Sequence, residues 1–173
     1  MTARTWTDSK LRFAAVHLEE LRQASARDKD DFHRAHEESF LFHLHGARDG
    51  FLHEVNEHHG LGIPADEVTL KRLRKELKET GKKNRQVAEI RDSEKDQSTF
   101  LFRLKEWRDA STHRGRVPRI YSYVGGSGQG SRQLKTPKGA THSQSTVDEF
   151  TKLLNDMTTL ITELRAGLAK TPR

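Results

Sequence analysis

The chain has 173 residues, ten histidines, no cysteine, and 31 lysines and arginines against 25 aspartates and glutamates, a formal charge of +6. At this length one domain is expected, and an apolar content of 32% is low for a globular chain, so the core should be thin. Disulfides, thiolate zinc sites and cysteine nucleophiles are excluded; with no long apolar run and no signal-peptide stretch in MTARTWTDSK, a soluble cytoplasmic protein without membrane contact is expected.

Helical periodicity dominates both ends of the chain. Leu11, Ala14, Ala15, Leu18 and Leu21 form one stripe and predict a first helix over about 8–26. A second, long helix over about 28–58 carries Phe32, Phe40, Leu41, Leu44, Ala47, Phe51, Leu52 and Val55 on its inner side and stops at Gly60, with Pro64 beyond. Leu70, Leu73 and Leu77 predict a third helix over 65–80, ended by the turn GKKNR. The stretch 84–111 holds Val87, Ile90, Phe100, Leu101, Leu104 and Trp107 and reads as one helix or as two broken near 92–96. RIYSYV, GGSGQG and RQLKTP suggest a small hairpin, with a flexible loop as the alternative. Ser145 is placed to cap a last helix through Val147, Phe150, Leu153, Leu154, Met157, Leu160, Ile161 and Leu164.

The positive charge is clustered. Residues 71–86 carry eight bases against Glu76 and Glu79, and six bases between Arg103 and Arg119 face Glu106 and Asp109. Such clusters are what a nucleic-acid-binding surface requires. They are also what a solvated helix face shows, with Arg72–Glu76 and Lys75–Glu79 as i,i+4 pairs.

The second helix concentrates His33, His36, His43, His45, His53, His58 and His59, which invites a metal. A di-iron bundle needs Glu-x-x-His on each of two helices and carboxylates from two more. HEVNEHH has the wrong spacing for a zincin, and Glu54 with His58 is a single i,i+4 pair. No metal and no other cofactor is therefore expected, and the histidines read as a polar face or a pH-sensitive dimer seam.

Three segments share an arginine and a histidine five residues apart: RFAAVH (Arg12, His17), RDGFLH (Arg48, His53) and RDASTH (Arg108, His113). The first lies in an amphipathic helix. The second places Phe51 and Leu52 at core positions, with no basic cluster beside it in sequence. The third has polar Asp109, Ser111 and Thr112 inside and Arg114 and Arg116 following, and it is the preferred candidate. RDASTH before a final long helix resembles the Arg-x-x-x-x-His signature of HEPN-domain ribonucleases, with Asp109 where that family more often has asparagine. The resemblance implies an all-α fold: a single helical domain over 1–173, a four- to five-helix bundle with a loop or hairpin insertion at about 116–140. It implies metal-independent cleavage of single-stranded RNA at a site shared by a homodimer, in a toxin–antitoxin or phage-defence setting, with a nucleotidyltransferase-type antitoxin as a further partner.

In that chemistry the ribose 2′-hydroxyl attacks its neighbouring phosphate. His113 moves protons, Arg108 holds the phosphate and Asp109 orients one of them. Ser111, Thr112, Arg114, Arg116, Arg119, Lys82 and Lys83 are the expected RNA contacts. On a straight helix the two motif positions lie about 140° apart, so the helix must end or bend around 111–113 or a second subunit must complete the pocket. A non-catalytic helical module binding nucleic acid or protein is the alternative, and a metal-dependent bundle enzyme using His43, His53 or His58 is a third reading.

Overall fold

Thr2 starts the first helix: its hydroxyl accepts from the Thr5 amide at 3.2 Å, and α1 runs Ala3–Gln23 in the computed structural model. The apolar stripe locates this helix but places its start five residues late, because the cap lies in the polar segment before the stripe. The structure describes residues 2–24, 30–82, 84–113, 119–123, 130–134 and 145–171. α2 spans Asp30–His59 and ends where Gly60 turns to φ +57°. There the Gly60 amide donates to the Glu57 carbonyl and the Leu61 amide to that of Asn56, the paired bonds of a Schellman ending.

A 3-10 turn, Ala65–Glu67, precedes α3, Leu70–Glu79. Periodicity joins these two elements into one; the Thr69 hydroxyl, capping the Arg72 amide, separates them. α3 closes at Gly81 in the same way as α2, with Gly81 donating to Lys78 and Lys82 to Leu77. Asn84 caps α4, Arg85–Ser93, and α5 follows at Phe100–His113. The stretch 84–111 is thus two helices, with Asp96 accepting from the Ser98 amide and hydroxyl in the break. β1 (Arg119–Tyr123) and β2 (Gly130–Leu134) pair antiparallel as the hairpin alternative anticipates, with Arg119 opposite Leu134. Ser145 caps α6, Thr146–Leu168.

The result is an all-α bundle with a hairpin before its last helix. α1 and α2 lie antiparallel along most of α1, and α5 and α6 close the core against α2. Phe40 stacks on Phe150 with ring centroids 4.3 Å apart, and Trp107, fully buried, leans on the same ring. Two apolar assignments fail: Phe32 is 36% exposed and Ala15 faces solvent. The Arg72–Glu76 and Lys75–Glu79 pairs form on the outer face of α3.

Gly50 fixes how closely α1 approaches α2. A Cβ there would lie 2.6 Å from Thr7 Oγ1 and 3.0 Å from the Thr7 Cα. Gly50→Ala should therefore destabilise by about 1–3 kcal/mol through overpacking, although mid-helix Gly→Ala by itself favours a helix by about 1 kcal/mol. Urea denaturation gives the sign directly.

Farther along the same seam His17 Nδ1 and His36 Nδ1 are 3.1 Å apart and His43 stacks on His17. Burial lowers the pKa of His17, helped by His36 and opposed by Glu20; burial also lowers that of His43, helped by Lys10 and His17. With the folded pKa below the unfolded value of about 6.5, the unfolded state binds more protons in between. Stability is therefore full above about pH 6.5 and declines as pH falls through that value. Melting temperature should drop between pH 7.5 and 5.5, and drop less in His17→Gln/His43→Gln; parallel curves for the two proteins would show that these imidazoles do not drive the loss.

Candidate functional site: a polar cleft beside α2

On α2, residues 45, 48, 49 and 53 recur at helical spacing and make a polar stripe next to the buried one. That stripe floors a cleft of about 470 Å³, within the usual range for small-ligand sites. Trp6 of α1 forms one wall, the start of α3 with Lys71 another, and Glu94 with Lys105 and Arg108 of α5 the third. Segments more than a hundred positions apart in sequence therefore meet here.

Its charges form a connected chain. Arg48, 8% exposed, is bridged by one guanidinium nitrogen to Glu94 and by another to Asp49 Oδ1 at 2.6 Å, while its Nε is buried without a partner. Asp49 Oδ2 accepts from His45 Nδ1 at 3.2 Å. Burial alone would raise the pKa of Asp49, but the His45 hydrogen bond and the charges of His45 and Arg48 outweigh it and bring it down to about 2. The carboxylate is ionised at any ordinary pH, so it holds the Nδ1–H tautomer of His45 and leaves Nε2 as the ring's acceptor. His53 stands edge-on to Trp6, centroids 4.7 Å apart, and burial lowers its pKa despite Asp49 and Glu57. Lys105 and Arg108 both pair with Asp109, at 3.2 and 2.9 Å, yet keep substantial exposure. Lys71, Lys105 and Arg108 thus bring three cations to the cleft, an arrangement suited to an anionic ligand.

A family model matches residues 1–170. The chain belongs to DUF6586, a family of unknown function. Among curated proteins and among solved structures none matches it.

The sequence-derived candidates separate in space. Arg108 lines the cleft and Asp109 pairs with it. Ser111 and Thr112 direct their hydroxyls to the Arg108 carbonyl, at 3.0 and 2.8 Å, so both serve α5 itself. The helix runs on through the backbone of His113, which leaves positions 108 and 113 about 140° apart and roughly 7.5 Å along the axis. α5 ends at His113, the far limit of the 111–113 range expected, so positions 108 and 113 still belong to one helix. The side chains of His113 and Arg119, and Lys83, Arg114 and Arg116 altogether, lie outside the described residues. Lys82 donates to the His59 carbonyl at 2.7 Å and, with Arg74 and Lys78, lines a separate depression of about 250 Å³. Among the described residues the two basic clusters do not line one groove; of 71–86, Lys71 reaches the cleft, because Lys78 sits about 10 Å farther along α3.

RDGFLH gains what it lacks in sequence. Phe51 and Leu52 are fully buried as expected, but Arg48 and His53 lie beside Lys71, Lys105 and Arg108, basic neighbours that only the tertiary fold provides. His45 and Asp49 are residues that motif reading misses; their signal is the i,i+4,i+8 recurrence of polar groups on a helix whose adjacent stripe is apolar. Among the described residues no group of three or more His, Asp or Glu side chains is arranged to hold a metal ion. Glu54 is instead bound to Arg165, His58 to the Thr171 carbonyl and His59 to Asn84. No described helix is long and apolar enough to cross a membrane.

Proposed function

We propose that this protein is a metal-independent endoribonuclease that takes single-stranded RNA into the α2–α5 cleft. The supporting observation is the placement of Arg108, from the motif that resembles the HEPN signature, beside Lys71, Lys105 and two histidines in one cleft. Arg108 and its neighbours hold the phosphodiester and offset charge on the phosphorane oxygens, while an imidazole takes the 2′-hydroxyl proton. The separation of positions 108 and 113 along one helix favours the two-copy arrangement, in which His113 of one copy serves Arg108 of another. In this reading the protein acts in the cytoplasm as a homodimeric toxin or phage-defence effector, restrained by a nucleotidyltransferase-type antitoxin.

End-labelled single-stranded RNA incubated in excess EDTA should yield 2′,3′-cyclic phosphate and 5′-hydroxyl ends, while DNA of the same sequence stays intact. Arg108→Ala should lower the rate about 10²–10³-fold, as removal of an oxyanion-stabilising group does. RNA left whole by the purified dimer and monomer alike would count against the enzyme. A second reading, a non-catalytic RNA-binding module, is favoured by the carboxylates that already occupy the cleft's guanidinium groups, Asp109 on Arg108 and Glu94 on Arg48. It predicts retention of RNA without scission.

A further inference from the structure

We infer that His45, held in place by Asp49, is a further proton-transferring group of the cleft, on the same chain as Arg108. The inference rests on the proposed RNA cleavage and deepens it by naming a residue outside the Arg108–His113 motif.

Two histidines line the cleft, and their surroundings differ. His53 is set edge-on against Trp6 and meets no carboxylate at hydrogen-bond distance in its own stripe. His45 is fixed at Nδ1 by Asp49, Asp49 is fixed by Arg48, and Arg48 is tied to Glu94 at the C-terminal cap of α4. Glu94, Arg48, Asp49 and His45 all line the cleft and are linked in that order. Each link is charged or charge-assisted, so each orients the next. A carboxylate on Nδ1 fixes a general base's tautomer and stabilises the imidazolium formed when Nε2 takes a proton. Lys105 and Arg108, which line the same cleft, are the groups that would hold the phosphate.

The step balances as follows. His45 Nε2 takes the proton of the 2′-hydroxyl, and the 2′-oxygen forms its bond to phosphorus as the bond to the 5′-oxygen breaks. The departing 5′-oxygen takes a proton from water, and the imidazolium neutralises the resulting hydroxide. Asp49 is a positioning residue and stays ionised throughout; Arg48 acts one link farther back.

The test combines kinetics with NMR on the full-length protein. His45→Ala should lower RNA cleavage about 10²–10⁴-fold at unchanged RNA affinity, and added imidazole should restore part of the rate. Asp49→Asn, which keeps the shape of the cleft, should slow cleavage by tenfold or more and displace the acid limb of its pH profile, which a packing role would leave in place. In the wild type, ¹⁵N spectra should show His45 protonated at Nδ1, and the ring signals should move on titration with a 3′-phosphate mononucleotide. Wild-type cleavage with His45→Ala equally fast, or a His45 ring protonated at Nε2, overturns the assignment and leaves the ribonuclease reading standing. A wild-type protein that cleaves no RNA overturns both.

Discussion

Glu54→Ala is expected to destabilise the protein by about 3–5 kcal/mol, the usual result of removing one member of a buried ion pair. Glu54 is 8% exposed and accepts from Thr7 at 2.6 Å and from Arg165 Nε and Nη2 at 2.9 and 2.7 Å. Arg165 reaches on to Asp8 at 2.8 Å, so one guanidinium joins α1, α2 and α6. The Glu54 hydrogen bonds, with those of Asp8, raise the arginine's pKa against the effect of burial; the group stays charged whatever happens to its partner. Removing Glu54 therefore leaves a cation with half its ligands in a place water reaches poorly, and leaves the Thr7 hydroxyl with only the Ala3 carbonyl. In urea the midpoint should fall with the slope unchanged. Glu54→Ala/Arg165→Ala should lose less than the two single variants combined, by about 0.5–3 kcal/mol of coupling. Strict additivity would show that the network does not act as a unit.

The same residue shows what a sequence does and does not display. Glu54 stands four before His58, a single i,i+4 pair too sparse for a metal site, and its partner Arg165 lies 111 residues away. Local rules carry far here: Gly60 ends α2 and Ser145 begins α6 where turn and cap chemistry place them, and Phe40, Phe51 and Phe150 are buried as their spacing implies. They fail where a hydroxyl decides between two continuations, as at Thr2 and Thr69. The cleft is harder still, because its cations come from α3 and α5 while its fixed polar floor comes from α2. A linear window ranks RDGFLH low for want of basic neighbours. Arg48 shares its stripe with two histidines and an aspartate, and once buried its guanidinium needs such partners. RDASTH shows the converse: rich in polar residues, it spends two of them on its own helix.

That division of labour gives the second large effect. Lys71→Ala/Lys105→Ala/Arg108→Ala should weaken single-stranded RNA binding and make it less sensitive to salt, because each cation that neutralises a phosphate contributes about 0.7 to the slope of log affinity against log salt. Three such contacts amount to a slope change of about 2. Between 50 and 200 mM salt the wild type should therefore lose about 20-fold more affinity than the triple variant. The three side chains sit on the rim, where Lys105 is 45% exposed, so the fold should tolerate their loss. Arg48→Ala should behave in the opposite way. Its guanidinium is already spent on Asp49 and Glu94, so the salt slope should stay near that of the wild type while the urea midpoint falls, two acids being left without their cation. Fluorescence anisotropy with a labelled oligoribonucleotide, run beside denaturation curves, separates the two effects. Equal salt slopes for the wild type and the triple variant would move the RNA-binding face away from this cleft.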